Sequence, residues 1–248
     1  MAQTISVLAS VATMVLGAVL AFRLLRLAAR TRKAPELAMG LYCLLVTACG
    51  LLLWLAFRLL PPESGWVMPL SAASTFCVGA GAFALAVGVW RIFHPGAAWA
   101  RATVAALGVF LAGSWVATLW PGEPVHLVDA SPANLAFVAG RVAVYFFGAF
   151  EAFRYARMLW RRASLGMADP VSGHQILLWG VAWLSMSAIA IASVGIQVVL
   201  ERSIYDSAVS MLLGSALNVT AWVCTWLAFF PPRAYQRWIE RRAAQATA

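Results

Sequence analysis

Charge is scarce in this chain of 248 residues. Only 11% of them are charged, against roughly 25% in soluble domains. A soluble core of this length has no room for a chain that is 63% hydrophobic. Lipid removes that difficulty, because hydrocarbon is itself an apolar solvent.

Lysine is almost absent. The single one, Lys33, lies between two apolar runs. A retinal Schiff base needs an amine inside the bundle, so that chemistry is excluded. Histidine is nearly as rare: His94, His126 and His174 all fall at loops or helix ends. Haem held between facing helices and histidine-rich metal boxes have no ligands here. The four cysteines, Cys43, Cys49, Cys77 and Cys224, form no C-x-x-C pair. They read as small buried hydrophobes, with no disulfide framework or zinc site.

Catalytic sets fail in the same way. Ser114 and Ser215 have no histidine or lysine within a span to activate them, and no aspartate lies mid-helix. The sequence therefore predicts no enzyme and no cofactor. Proline is missing from the middle of every apolar run. Gly/Pro-broken midplane helices mark many secondary transporters, and their absence lowers that reading. The N-terminus lacks a basic n-region, so the first run is expected to be a retained helix.

What is present is a series of apolar runs. A spanning helix takes about 20 such residues. Seven segments qualify, at about 4–27, 35–60, 66–93, 101–120, 132–162, 173–200 and 206–230. The fold class is thus an all-α, seven-helix transmembrane bundle over 1–230, with a tail at 231–248. In the tail, Tyr235, Trp238 and Ile239 share one helical face, and Arg233, Arg237 and Arg241 share another. That predicts a short amphipathic helix lying in the interface.

The net charge is +9, carried mostly at the ends of the apolar runs. Orientation and anionic lipid explain this better than nucleic acid does. With the N-terminus outside, every one of the 18 basic residues except Arg58, Arg141 and Arg202 falls on the cytoplasmic side. Acidic residues gather in the opposite loops. Arg23, Arg26 and Arg30 repeat at i, i+3, i+7, as do Arg154, Arg157 and Arg161. These rows, with Arg233, Arg237 and Arg241, are the expected contacts for anionic lipid, or for a membrane or cytoplasmic protein. The composition and short loops suggest a bacterial inner membrane.

The third run is rich in small residues. Ala72, Phe76, Ala80, Ala84 and Gly88 recur every fourth position beside Ser71, Thr75 and Gly79. Such rows let helices approach closely and predict a central helix.

Ionisable residues inside spans are costly and mark candidate sites. Two lie in the fifth segment. Glu151 is expected to pair with Arg154 at i+3. Arg141 lies too deep to reach the surface easily. Its expected partners are Asp206 or Glu201, with Gln197 and Asn218 as amides. Together with Tyr145, Trp115 and Thr118 these residues could line an outward-facing cavity.

The layout resembles seven-helix sensory or receptor modules, a likeness of topology that rests on no motif. It also resembles seven-helix sugar transporters in length and orientation, but their Pro-Gln pairs are absent. Three functions follow in order of expectation: a sensor-like or interaction module without catalytic output, an assembly subunit of a membrane complex, and a small-substrate transporter.

Overall fold

The computed structural model describes residues 2–61, 63–119, 131–200 and 208–247. Helices account for nearly all of them, and no strand occurs among the described residues. Seven helices are long and apolar enough to cross a membrane. They are α1 (Ala2–Thr31), α2 (Ala34–Leu59), α3 (Val67–Phe93), α4 (Ala98–Leu119), α5 (Pro132–Ala163), α6 (Pro170–Leu200) and α7 (Ala208–Phe229). An eighth helix, α8 (Arg233–Thr247), follows Pro231-Pro232 and packs on α6. The chain is an integral membrane protein by this measure.

Sequential helices are neighbours, and α1 closes the ring against α7. Contacts fix the directions. Late α2 meets early α3 through Ser74 Oγ, which donates to the Gly50 carbonyl at 2.8 Å. Late α4 meets early α3 through Trp115. The ends of α1 and α7 meet through Arg23 and Trp226. Consecutive helices therefore run antiparallel. One end of the bundle, the basic end, collects Arg23, Arg30, Arg91, Arg154, Arg161 and Arg233.

Helix α3 touches α2, α4 and α5, and its apolar window is 56% buried, the highest share of the seven. Its Ser71, Thr75 and Gly79 row faces inward, while Phe76 points out at 53% exposure. Close approach rests on rings set against glycines. Phe137 of α5 lies on Gly79 of α3, and Phe110 of α4 on Gly140 of α5. Trp183 of α6 lies on Gly148 of α5, and Phe153 and Trp160 of α5 on Gly180 and Gly173 of α6. Any side chain at these glycines would meet an aromatic ring. This interdigitation makes α5 and α6 the most extensively packed pair.

One feature differs from the uninterrupted second helix that the sequence suggests. Residues Leu44–Leu51 of α2 form a π-helix. No proline marks it. Its two ends are held by hydroxyls: Thr47 Oγ1 donates to the Cys43 carbonyl, and Ser74 Oγ to that of Gly50. A widened turn frees carbonyls from the helical ladder, and these donors satisfy two of them.

Candidate functional site

The π-helix forms one wall of a cavity of about 200 Å³ between α2 and α6. Val46, Gly50, Leu51 and Trp54 come from α2, and Met186, Ile189, Ala190, Ser193 and Val194 from α6. Val78 of α3 and Val138 of α5 close it behind. All these residues sit in the half of the bundle away from the basic end. The walls are apolar apart from Trp54, Ser193 and one charge, Arg141.

Arg141 lies nine residues into α5, about 13 Å along the helix at ~1.5 Å per residue. Its guanidinium is 5.9 Å from the Phe137 ring, one turn earlier on the same face. Its Nε is buried and has no hydrogen-bond partner among the described residues. The residue as a whole is half-buried, so the desolvation cost falls on the Nε edge of the guanidinium, which a hydrogen-bond acceptor in the cavity would offset. One turn on, Tyr145 is fully buried, with its hydroxyl beside that of Tyr42.

Tyr145 belongs to an aromatic axis through the bundle. Tyr42 of α2 meets it edge-on at 6.2 Å, and Trp222 of α7 stacks on Tyr42 at 6.4 Å. Trp222 Nε1 donates to Asn218 Oδ1 at 3.1 Å, and Asn218 Nδ2 donates to Thr13 Oγ1 of α1 at 3.1 Å. Asn218 thus ties α7 to α1 and lies outside the cavity lining.

Trp115 is also elsewhere. Its Nε1 lies 3.2 Å from both the Ala72 carbonyl and Thr75 Oγ1, so it fastens α4 to α3. Thr118 turns its hydroxyl back to the Trp115 carbonyl. The structure therefore brings Arg141 and Tyr145 together on one face of α5 and separates Trp115, Thr118 and Asn218 from them. Asp206 and Glu201 lie outside the described residues, as does the side chain of Gln197.

At the basic end a second cluster forms around Glu151, which is 4% exposed. Arg154 Nε lies 3.1 Å from Glu151 Oε2, the i+3 contact expected from the sequence. His94 Nε2, from the end of α3, lies 3.0 Å from the same oxygen. The Trp99 ring packs against His94 at 4.6 Å. The sequence places His94 at a helix end, as found, but carries no sign of this contact. The His94-Pro95-Gly96 turn stops α3 where its histidine meets α5, and only the helix offset reveals that. Arg154 is well exposed, as are Arg157 and Arg161 in the same row. In α8, Ile239 is buried while Arg233, Arg237 and Arg241 are exposed.

Comparison with known proteins finds no matching family model, no similar curated protein and no similar solved structure.

Proposed function

We propose that this membrane protein is a sensor-like module that receives a small amphiphile with an anionic head in the α2–α6 cavity. One observation carries the reading: the charge of Arg141 sits at an apolar cavity with its Nε buried and unbonded among the described residues. A carboxylate or phosphate monoester would meet the guanidinium through charge-assisted hydrogen bonds. An alkyl or isoprenoid body would fill the space between Val46, Leu51, Ile189 and Val194. Neutral lipid tails fill the same walls without meeting the charge.

The wall also supplies a device for passing the event on. A π-turn holds one residue more than the α-turn it replaces, so its closure re-registers the helix beyond it. Leu44–Leu51 lines the cavity and precedes the rest of α2, so a ligand that fits only one register biases α2. The module has no chemistry of its own in this reading and hands the change to a separate protein. The basic end would face the cytoplasm of a bacterial inner membrane, with the cavity in the outer half. The gathering of basic residues at one end supports that orientation.

Decanoate binding to the protein in nanodiscs tests the proposal. Arg141→Ala should weaken it at least tenfold, about 1.4 kcal/mol, and Arg141→Lys should keep part of it. Unchanged decanoate binding in Arg141→Ala, accompanied by a loss of stability, would instead make Arg141 one half of a structural ion pair.

A further inference from the structure

A second concave surface lies at the basic end, between α1 and α7, away from the cavity above. It is a groove of about 600 Å³. Its part farther from the basic end is apolar, formed by Ala18, Val19 and Phe22. Its other part carries Arg23, Arg26 and Arg30. Phe22 is 67% exposed, so the apolar part is open to whatever surrounds the bundle.

Arg23 is held by rings of the neighbouring helix. Arg23 lies over two rings of α7, at 5.3 Å from Trp226 and 5.1 Å from Phe230. Such stacking fixes the guanidinium by its face and leaves its edge N–H donors available. No acidic side chain lies within ion-pair distance of Arg23, Arg26 or Arg30 among the described residues. Positions i, i+3 and i+7 put the three charges along one side of α1. They span about 10 Å at ~1.5 Å per residue. One phosphate cannot reach both ends of such a row, but two phosphates joined by a short linker can.

We infer that this groove is a binding site for an anionic phospholipid whose headgroup carries two phosphates, of the cardiolipin type. The phosphates lie along Arg23, Arg26 and Arg30, with Arg23 already positioned by Trp226 and Phe230. An acyl chain lies on Phe22 and Val19. Basic pockets between helices at one membrane face suit such headgroups, and here the apolar and basic parts are continuous in the order a lipid requires. An acidic protein segment would match the arginines but has no use for the exposed Phe22 and Val19 surface below them.

The test is lipid retention by the full chain, measured by native mass spectrometry after exchange into nanodiscs. The discs contain phosphatidylcholine with cardiolipin or with phosphatidylglycerol, matched in total negative charge. The wild type should retain cardiolipin at least fivefold over phosphatidylglycerol. The triple variant Arg23→Gln, Arg26→Gln, Arg30→Gln should lose at least tenfold of that retention. A control triple removes the same charge from α5: Arg154→Gln, Arg157→Gln, Arg161→Gln. It should lose less than twofold. Should the α1 triple not fold, Arg26→Gln alone is expected to lose about threefold. Equal losses in the two triples would reduce the site to diffuse surface charge and overturn the inference. So would equal retention of the two lipids, or an acidic polypeptide that displaces lipid from the α1 arginines.

Discussion

Trp222→Ala should be among the most damaging single truncations in the bundle, at about 3–5 kcal/mol. Trp222 is 2% exposed and stacks on Tyr42, which in turn meets Tyr145. In lipid, removing an apolar side chain loses little transfer energy, because lipid is as apolar as the core. The cost comes from lost contact with rings that cannot collapse into the space. The same change frees the Asn218 carbonyl that accepts from the indole. Trp222→Phe separates the two effects. It keeps most of the stacking and loses one hydrogen bond, about 0.6–1 kcal/mol. Unfolding in mixed micelles titrated with a denaturing detergent measures both. A Trp222→Ala cost within 1 kcal/mol of wild type would mean that the aromatic axis is not a packing centre.

Gly17→Val should be nearly as severe. A Cβ at Gly17 would fall 2.6 Å from the Thr47 Cβ and closer still to its hydroxyl. Thr47 cannot turn away freely, because it is 2% exposed and its hydroxyl is bonded to the Cys43 carbonyl just before the π-helix. The new side chain therefore pushes α1 away from α2 or forces the π-turn to open. Overpacking of this kind costs about 1–3 kcal/mol, and the branched Val is expected at the top of that range. Gly113 is the control: among the described residues nothing lies within 4 Å of a Cβ built there. Gly113→Ala should change stability by no more than about 1 kcal/mol, in the favourable direction that helix propensity gives. A tolerated Gly17→Val would show that α1 and α2 do not approach as closely as Thr47 and Gly17 imply.

Much of the fold was legible because lipid imposes a simple rule. Long apolar runs give spans, and the seven observed helices lie within a few residues of those runs. Arg141 was also legible, since a lone charge between apolar neighbours needs no structure to be noticed. Its surroundings were not. Trp115 and Asn218 were grouped with it on polarity alone, yet each bonds to a different helix pair. Hydropathy fixes where a helix lies along the membrane normal and says little about its rotation or offset against a neighbour. The same ignorance hid His94 beside Glu151 and the rings that fill the glycine notches of α5 and α6. The π-helix was hidden for another reason. Leu44–Leu51 has the composition of any apolar span, and the hydroxyls that hold it become meaningful only once Ser74 faces Gly50.

The central claim, that the α2–α6 cavity receives an anion-headed amphiphile at Arg141, is tested most directly by photolabelling. A long-chain carboxylic acid bearing a diazirine near its tail would be incorporated with the protein into nanodiscs, irradiated and mapped by peptide mass spectrometry. Labels should concentrate on Val46, Leu51, Trp54, Ile189 and Val194, suppressed by excess unlabelled acid. Labels spread evenly over exposed surface residues such as Val109, Phe146 and Phe150, and not displaced by unlabelled acid, would contradict it.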